Sequence, residues 1–193
     1  MITRAATLFV FVAGWIVIFR YRSEHMTTKL AAATPAERRW IPLTTAVVSL
    51  HVSLAELLIT LPLFGPAPAP TTIETRRWLA GIVVFLVGLA LWFWTRRALA
   101  PLGRFVDTVT PPPRLLIDGP YALVRHPLML ATLLCAFGPA LATNAVLTWS
   151  TFVASAFCIA KRCAQDEETL WSVFGDAYAG YAARTRRLVP FVW

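Results

Sequence analysis

Apolar residues in this chain come in long unbroken blocks separated by short basic stretches, a pattern that fits neither a one-sided surface helix nor an alternating strand. The first block, residues 5–19 (AATLFVFVAGWIVIF), is flanked by Arg4 and by Arg20-Tyr21-Arg22. It is short for a bilayer crossing of about 20 residues, and snorkelling arginines and Tyr21 supply the difference. A cleaved signal peptide is the rival reading, but no small-residue cleavage site follows. Residues 41–64 form a second block, long enough to cross with tilt. Residues 78–95 form a third, with Trp78 at one end and Trp92 and Trp94 at the other, as in an aromatic belt. Residues 128–160 carry no charge at all, a run too long for one crossing, which Gly138-Pro139 through Asn144 divides into two short, apposed helices. The pattern therefore predicts an all-α membrane protein, a single integral domain over residues 1–193. Its five transmembrane helices lie near residues 5–20, 41–64, 78–95, 128–142 and 145–160, and a cytosolic helix covers residues 161–193.

Composition agrees with the pattern. Hydrophobic residues make up 58% of the 193 positions and charged residues 15%, a balance that soluble domains do not reach. The formal charge of +8 would suit nucleic acid, but the basic residues are scattered between apolar blocks and form no long run. Topology explains them better. If five spans alternate, fifteen of the 18 Lys and Arg residues fall on one side of the membrane and only Arg4, Arg76 and Arg77 on the other. The positive-inside rule then places the N-terminus outside and the C-terminus in the cytoplasm. Residues 101–127 and 161–193 share the cytoplasmic face, which a four-span chain would not allow.

Several side chains within or just beyond the spans carry possible chemistry. Ser49, Ser53, Glu56 and Thr60 recur at helical offsets, which predicts a polar face turned toward protein, with Glu56 either lining a cavity or making an interhelical hydrogen bond. His51 falls off that face and reads as interfacial or packed. Cys135, Cys158 and Cys163 show no metal-ligand or redox spacing, so the expectation is apolar packing, no disulfide and no metal site.

Between two apolar blocks sits GPYALVRHPLM, residues 119–129. Gly119 and Pro120 break what precedes them, and Pro127 starts a helix with Arg125 and His126 at its entrance. Backbone N–H groups, the positive end of the helix dipole and Arg125 could together hold an anionic or electron-rich group of a ligand; the bland alternative is a basic interfacial loop. A second block, DEETLWSVFGDAYAGYAARTRRLVP over residues 166–190, reads as an amphipathic helix broken near Gly175. The helix starts at Lys161, and Arg162 and Asp166 stand four residues apart on it, facing one cavity or forming an exposed salt bridge.

The spacing GPY, three residues, Arg-His-Pro, followed by an acidic pair, Phe-Gly, two spaced tyrosines and Arg-aliphatic-Pro, resembles the superfamily of isoprenylcysteine carboxyl methyltransferases and phospholipid methyltransferases. The resemblance covers residues 102–190. It implies a membrane enzyme that uses S-adenosyl-L-methionine and methylates a lipophilic small molecule or lipid, with membrane lipids as its surroundings and no nucleic-acid partner. By resemblance to the carboxyl methyltransferase branch, Pro113, Arg114, Leu115, Leu116, Tyr121, His126, Pro127, Leu128 and Met129 line a cytoplasmic-face cofactor pocket, and Asp166 contacts the cofactor too. Arg162 orients the acceptor, and Arg162, Asp166 and Glu167 form the catalytic group, the choice between Asp166 and Glu167 as cofactor contact being open. Met129 and Asp166 replace the family's more usual Tyr and Glu, which affects the acceptor more than the cofactor. Isoprenylcysteine-like carboxyl methylation is the leading expectation. Amine, phospholipid or thiol methylation, an NADPH-dependent sterol-reductase-like enzyme and a non-catalytic subunit are the alternatives.

Overall fold

The computed structural model describes residues 2–23, 35–60, 71–100 and 114–188. Among the described residues five helices follow one another: α1 (Ile2–Ser23), α2 (Pro35–Thr60), α3 (Thr72–Leu99), α4 (Pro127–Thr143) and α5 (Val146–Ala182), with a 3-10 turn at Gly119–Ala122 ahead of α4. Among the described residues there is no strand, only an isolated parallel bridge between Val124 and Arg186.

Helix ends follow local chemistry more than apolar content. α3 begins six residues before the expected Trp78 because Thr71 and Glu74 form a capping box: the Glu74 N–H donates to Thr71 Oγ1 at 3.2 Å, and the Thr71 N–H donates to Glu74 Oε2 at 2.8 Å. α4 ends inside the stretch from Gly138-Pro139 through Asn144 where the break is expected, at its last residue rather than its first. It runs through both residues and stops at Asn144, which takes the left-handed conformation at φ 49° and sends its N–H to the Ala140 carbonyl. Asparagine tolerates that conformation, whereas Pro139 only forgoes one donor inside a supported helix.

α5 corrects one expectation. The block expected as the fifth span and the block expected as a separate helix over residues 161–193 are one helix, continuous through residue 160 and ending at Ala182. The expected break near Gly175 is present, at φ 45° and ψ −121°, a conformation open mainly to glycine.

The main core is apolar and aromatic, with Phe11, Trp15, Val48, Val52, Phe85, Trp92, Ala131 and Cys135 buried together. The Phe11 and Phe85 rings meet edge-on with centroids 5.0 Å apart. α3 and α4 approach most closely, at glycine. A Cβ added at Gly81 would lie 2.5 Å from the Gly138 carbonyl oxygen, and one at Gly88 would lie 2.8 Å from the Cys135 nitrogen. Only residues without a side chain let two backbones come this near. All three cysteines are free and buried.

α2 presents a different face to the protein from the one expected. Thr44, Val48, His51, Val52, Ala55 and Ile59 are its buried residues, while Ser53 is exposed and Ser49 and Glu56 are half-buried. The polar stripe lies beside the packed face, because close packing with α5 selects the apolar and small residues. His51 is packed, as expected: it is wholly buried, with Nε2 2.8 Å from the Ala136 carbonyl oxygen and Nδ1 2.9 Å from Thr151 Oγ1, tying α2 to α4 and α5.

α2 over Pro42–Ile59 and α3 are long and apolar enough to cross a membrane, and α4 is a shorter apolar helix. Phe9, Val83, Val146 and Val153 are each more than half exposed. Large apolar side chains pointing outward on α1, α3 and α5 suit a lipid surround rather than water.

Candidate active site

The site is assembled at the entrance of α4, where His126 is the N-cap and Pro127 the first helical residue. Ahead of it the 3-10 turn starts at Gly119, with φ 62°. After α5 the chain returns beside this entrance. The Arg125 N–H donates to the Arg186 carbonyl at 2.7 Å and the His126 N–H to the Arg187 carbonyl at 3.1 Å. The Tyr181 hydroxyl donates to the Tyr121 carbonyl at 2.8 Å. Part of the donor set that the sequence offered to a ligand is therefore used within the chain.

The anion at this entrance is Glu167. Arg125 Nε donates to its Oε1 at 2.8 Å, and His126 Nε2 stands 3.4 Å from the same oxygen. Arg187 donates to Oε2 through Nε at 2.9 Å and again through Nη2. The rest of the Arg125 guanidinium is spent on main chain, where Nη1 donates to the Ala182 and Thr185 carbonyls. Burial pushes the Glu167 carboxyl up, but the bonds from His126, Arg187 and Arg125 outweigh it and hold the group well below the usual carboxylate range. The bond to Glu167 in turn raises Arg187.

Tyrosines wall this cluster. Tyr178 is wholly buried, its ring edge-on to Trp171 at 5.4 Å and to Tyr181 at 6.0 Å. Burial and the Glu167 charge keep its proton on. Burial likewise pushes the Tyr181 hydroxyl up to about 12.

Arg162 and Asp166 stand one helical turn apart on α5, Nε to Oδ2 3.9 Å, an ion pair too long for a hydrogen bond. Arg162 is only 6% exposed, and its buried Nε has no hydrogen-bond partner. Cys163 is wholly buried beside both groups of charges: burial raises its thiol first, then Asp166, while Arg162 and Arg187 oppose the rise.

The remaining expected cofactor residues divide by position. Arg114 is exposed, and Leu115, Leu116 and Tyr121 are half-buried. Pro127 is buried, Leu128 packs on the main core, and Met129 packs on Ile159, Cys163 and Leu188. Pro113 lies outside the described residues, with the rest of 101–113. Tyr178, Tyr181 and Arg187 belong to the motif that carries the resemblance but are given no site role by the sequence, and Thr185 carries no sequence signal. The signal was present for Arg187: a buried acid needs cations, and the closing Arg-aliphatic-Pro supplies one.

Fold and site together define a helical protein with an apolar body and one polar end built from two distant blocks of sequence. The sequence model of the phospholipid methyltransferase family matches residues 76–177, just over half the chain. The chain belongs to the phospholipid methyltransferase family, a family of methyltransferases acting on lipid-type substrates. No curated protein and no solved structure matches it significantly.

Proposed function

We propose that this chain transfers a methyl group from S-adenosyl-L-methionine to a lipophilic or membrane-embedded acceptor, with its site on the cytoplasmic face of a five-span bundle. The acceptor chemistry we favour is the carboxyl methylation of an isoprenylated cysteine or a related small molecule. The observation that carries the reading is the convergence of both motif blocks on Glu167, which sets Arg125-His126-Pro127 beside the α5 turn bearing Arg162 and Asp166.

The donor set fits such a cofactor. Glu167 has both oxygens taken by cations of its own chain, and we assign the contact with a sulfonium or a ribose hydroxyl to Asp166, on the resemblance of its position to the family's acidic residue. Half-buried Tyr121 offers an aromatic face, and His126 a ring nitrogen. When bound, S-adenosyl-L-methionine supplies an activated methyl group and its own leaving group, so little acid–base chemistry is asked of the protein. What the residues do is position and exclude water. Arg162, buried with one donor unused, orients an acceptor carboxylate. Glu167 holds the two blocks in register.

Phospholipid or amine methylation is the second reading, favoured by the family's own description. Titrating S-adenosyl-L-methionine and NADPH separately into the detergent-purified protein tests the core claim. Saturable binding of the former alone is expected; binding of NADPH alone would overturn it in favour of a reductase.

A further inference from the structure

We propose that Arg187 is a positioning residue of the methyl-transfer site, holding His126 by its backbone and by its ring at once; the proposal rests on the reading that His126 faces the methyl donor. The backbone hold is direct, from the His126 N–H to the Arg187 carbonyl at 3.1 Å. The ring hold passes through one carboxylate. Arg187 Nε and Nη2 both reach Glu167 Oε2, and the other oxygen of that carboxylate faces His126 Nε2 at 3.4 Å. A carboxylate gripped on one oxygen by a guanidinium cannot rotate freely, so its second oxygen stays aimed at the imidazole.

The chemical consequence concerns which nitrogen of His126 carries the proton. A carboxylate oxygen only accepts, so a neutral His126 ring keeps its proton on Nε2 and leaves Nδ1 as an acceptor. Arg187 thereby sets the polarity that His126 presents to a ligand, that of a lone pair suited to a hydroxyl or ammonium donor. Arg125 shares Oε1 but differs in role, since its Nη1 is committed to the Ala182 and Thr185 carbonyls and ties down main chain. Arg187 is also the more open of the two, with its side chain 28% exposed against 13% for Arg125. A small guanidinium can therefore reach its place from solvent.

The test uses the full chain in detergent with its histidine rings labelled with nitrogen-15, the His126 signals being assigned by their loss in His126→Gln. At a pH where the ring is neutral, wild type should show a protonated Nε2 and an unprotonated Nδ1. Arg187→Ala should show averaged tautomers and a roughly tenfold or larger loss of S-adenosyl-L-methionine affinity, the size expected for one charge-assisted bond. Added guanidinium chloride at millimolar concentration, below any denaturing range, should restore both. Arg187→Lys, which keeps the charge without the fork, should fall between. If Arg187→Ala does not fold, the Arg187→Lys spectrum decides by the same criterion. A wild-type His126 signature in the variant that folds, or an affinity loss that tracks a lower thermal midpoint and ignores guanidinium, overturns the proposal. Failure of wild type to bind the methyl donor would overturn the functional reading, and the His126 spectra would still report on the hold itself.

Discussion

Arg125 and Glu167, separated by 42 positions in the chain, meet Nε to Oε1 at 2.8 Å and fasten the entrance of α4 to the C-terminal half of α5. The contacts of His126 and Arg187 to the same carboxylate depend on its staying ionised and in place.

Its charge gives stability a definite acid limit. The folded-state pKa of Glu167 is depressed below the ordinary value of about 4.5, so its contribution is full above that pH and is lost as pH falls through the lower folded value. Acid titration of the thermal midpoint should show wild type losing stability below about pH 4.5, whereas Glu167→Gln should be less stable at neutral pH and flatter in acid. Removing the anion leaves two half-buried cations facing each other, and a cost of about 1–3 kcal/mol is expected near pH 7. An unchanged acid profile in Glu167→Gln would count against the cluster.

The roles proposed for Arg162 and Asp166 can be separated by substitution. Asp166→Asn should weaken S-adenosyl-L-methionine binding directly, and Asp166→Glu should be tolerated if the longer carboxylate still reaches. Arg162→Lys keeps charge but loses the planar fork, so turnover should fall while cofactor still binds. Three substitutions that shift stability by less than about 1 kcal/mol and leave binding and turnover alone would return the pair to a simple salt bridge.

The α3–α4 seam makes a steric prediction. Gly88→Ala places a methyl carbon 2.8 Å from the Cys135 nitrogen, and backbone cannot yield as a flexible side chain would. A loss of about 1–3 kcal/mol in detergent unfolding is expected. Gly180→Ala, where nothing lies within 4 Å of the added atom, serves as the silent control.

Topology remains a matter of charge. A reporter fused after Trp193 should be cytoplasmic and one placed before Arg4 should face the opposite side. Both reporters on one side would remove the five-span arrangement.

The helices were legible because long apolar runs leave few other solutions, and the 119–129 and 166–190 blocks could be read as one site because their residue types are distinctive. What escaped was set by geometry beyond local spacing. Nothing in the sequence around Glu167 says that its cations come from 42 positions before and 20 positions after, so it was grouped with Asp166 when the structure gives it a different neighbourhood. The polar spacing on α2 suggested a buried face, but helix packing favoured the stripe with Val48 and Ala55. The Thr71–Glu74 box could have been read directly, since its capping pattern is local.

α5 runs without interruption from Val146 to the kink at Gly175. Its charge-free portion ends at Ala160, and Asp166 follows six positions later, about 9 Å along the axis at 1.5 Å per residue. A continuous helix of this kind acts as a gauge rod: it fixes how far above the apolar layer the charged pair can stand. On the function proposed above, an acceptor embedded by its tail would have to present its reactive atom within about that height, so reach, as well as headgroup chemistry, would sort the molecules that suit the proposed site.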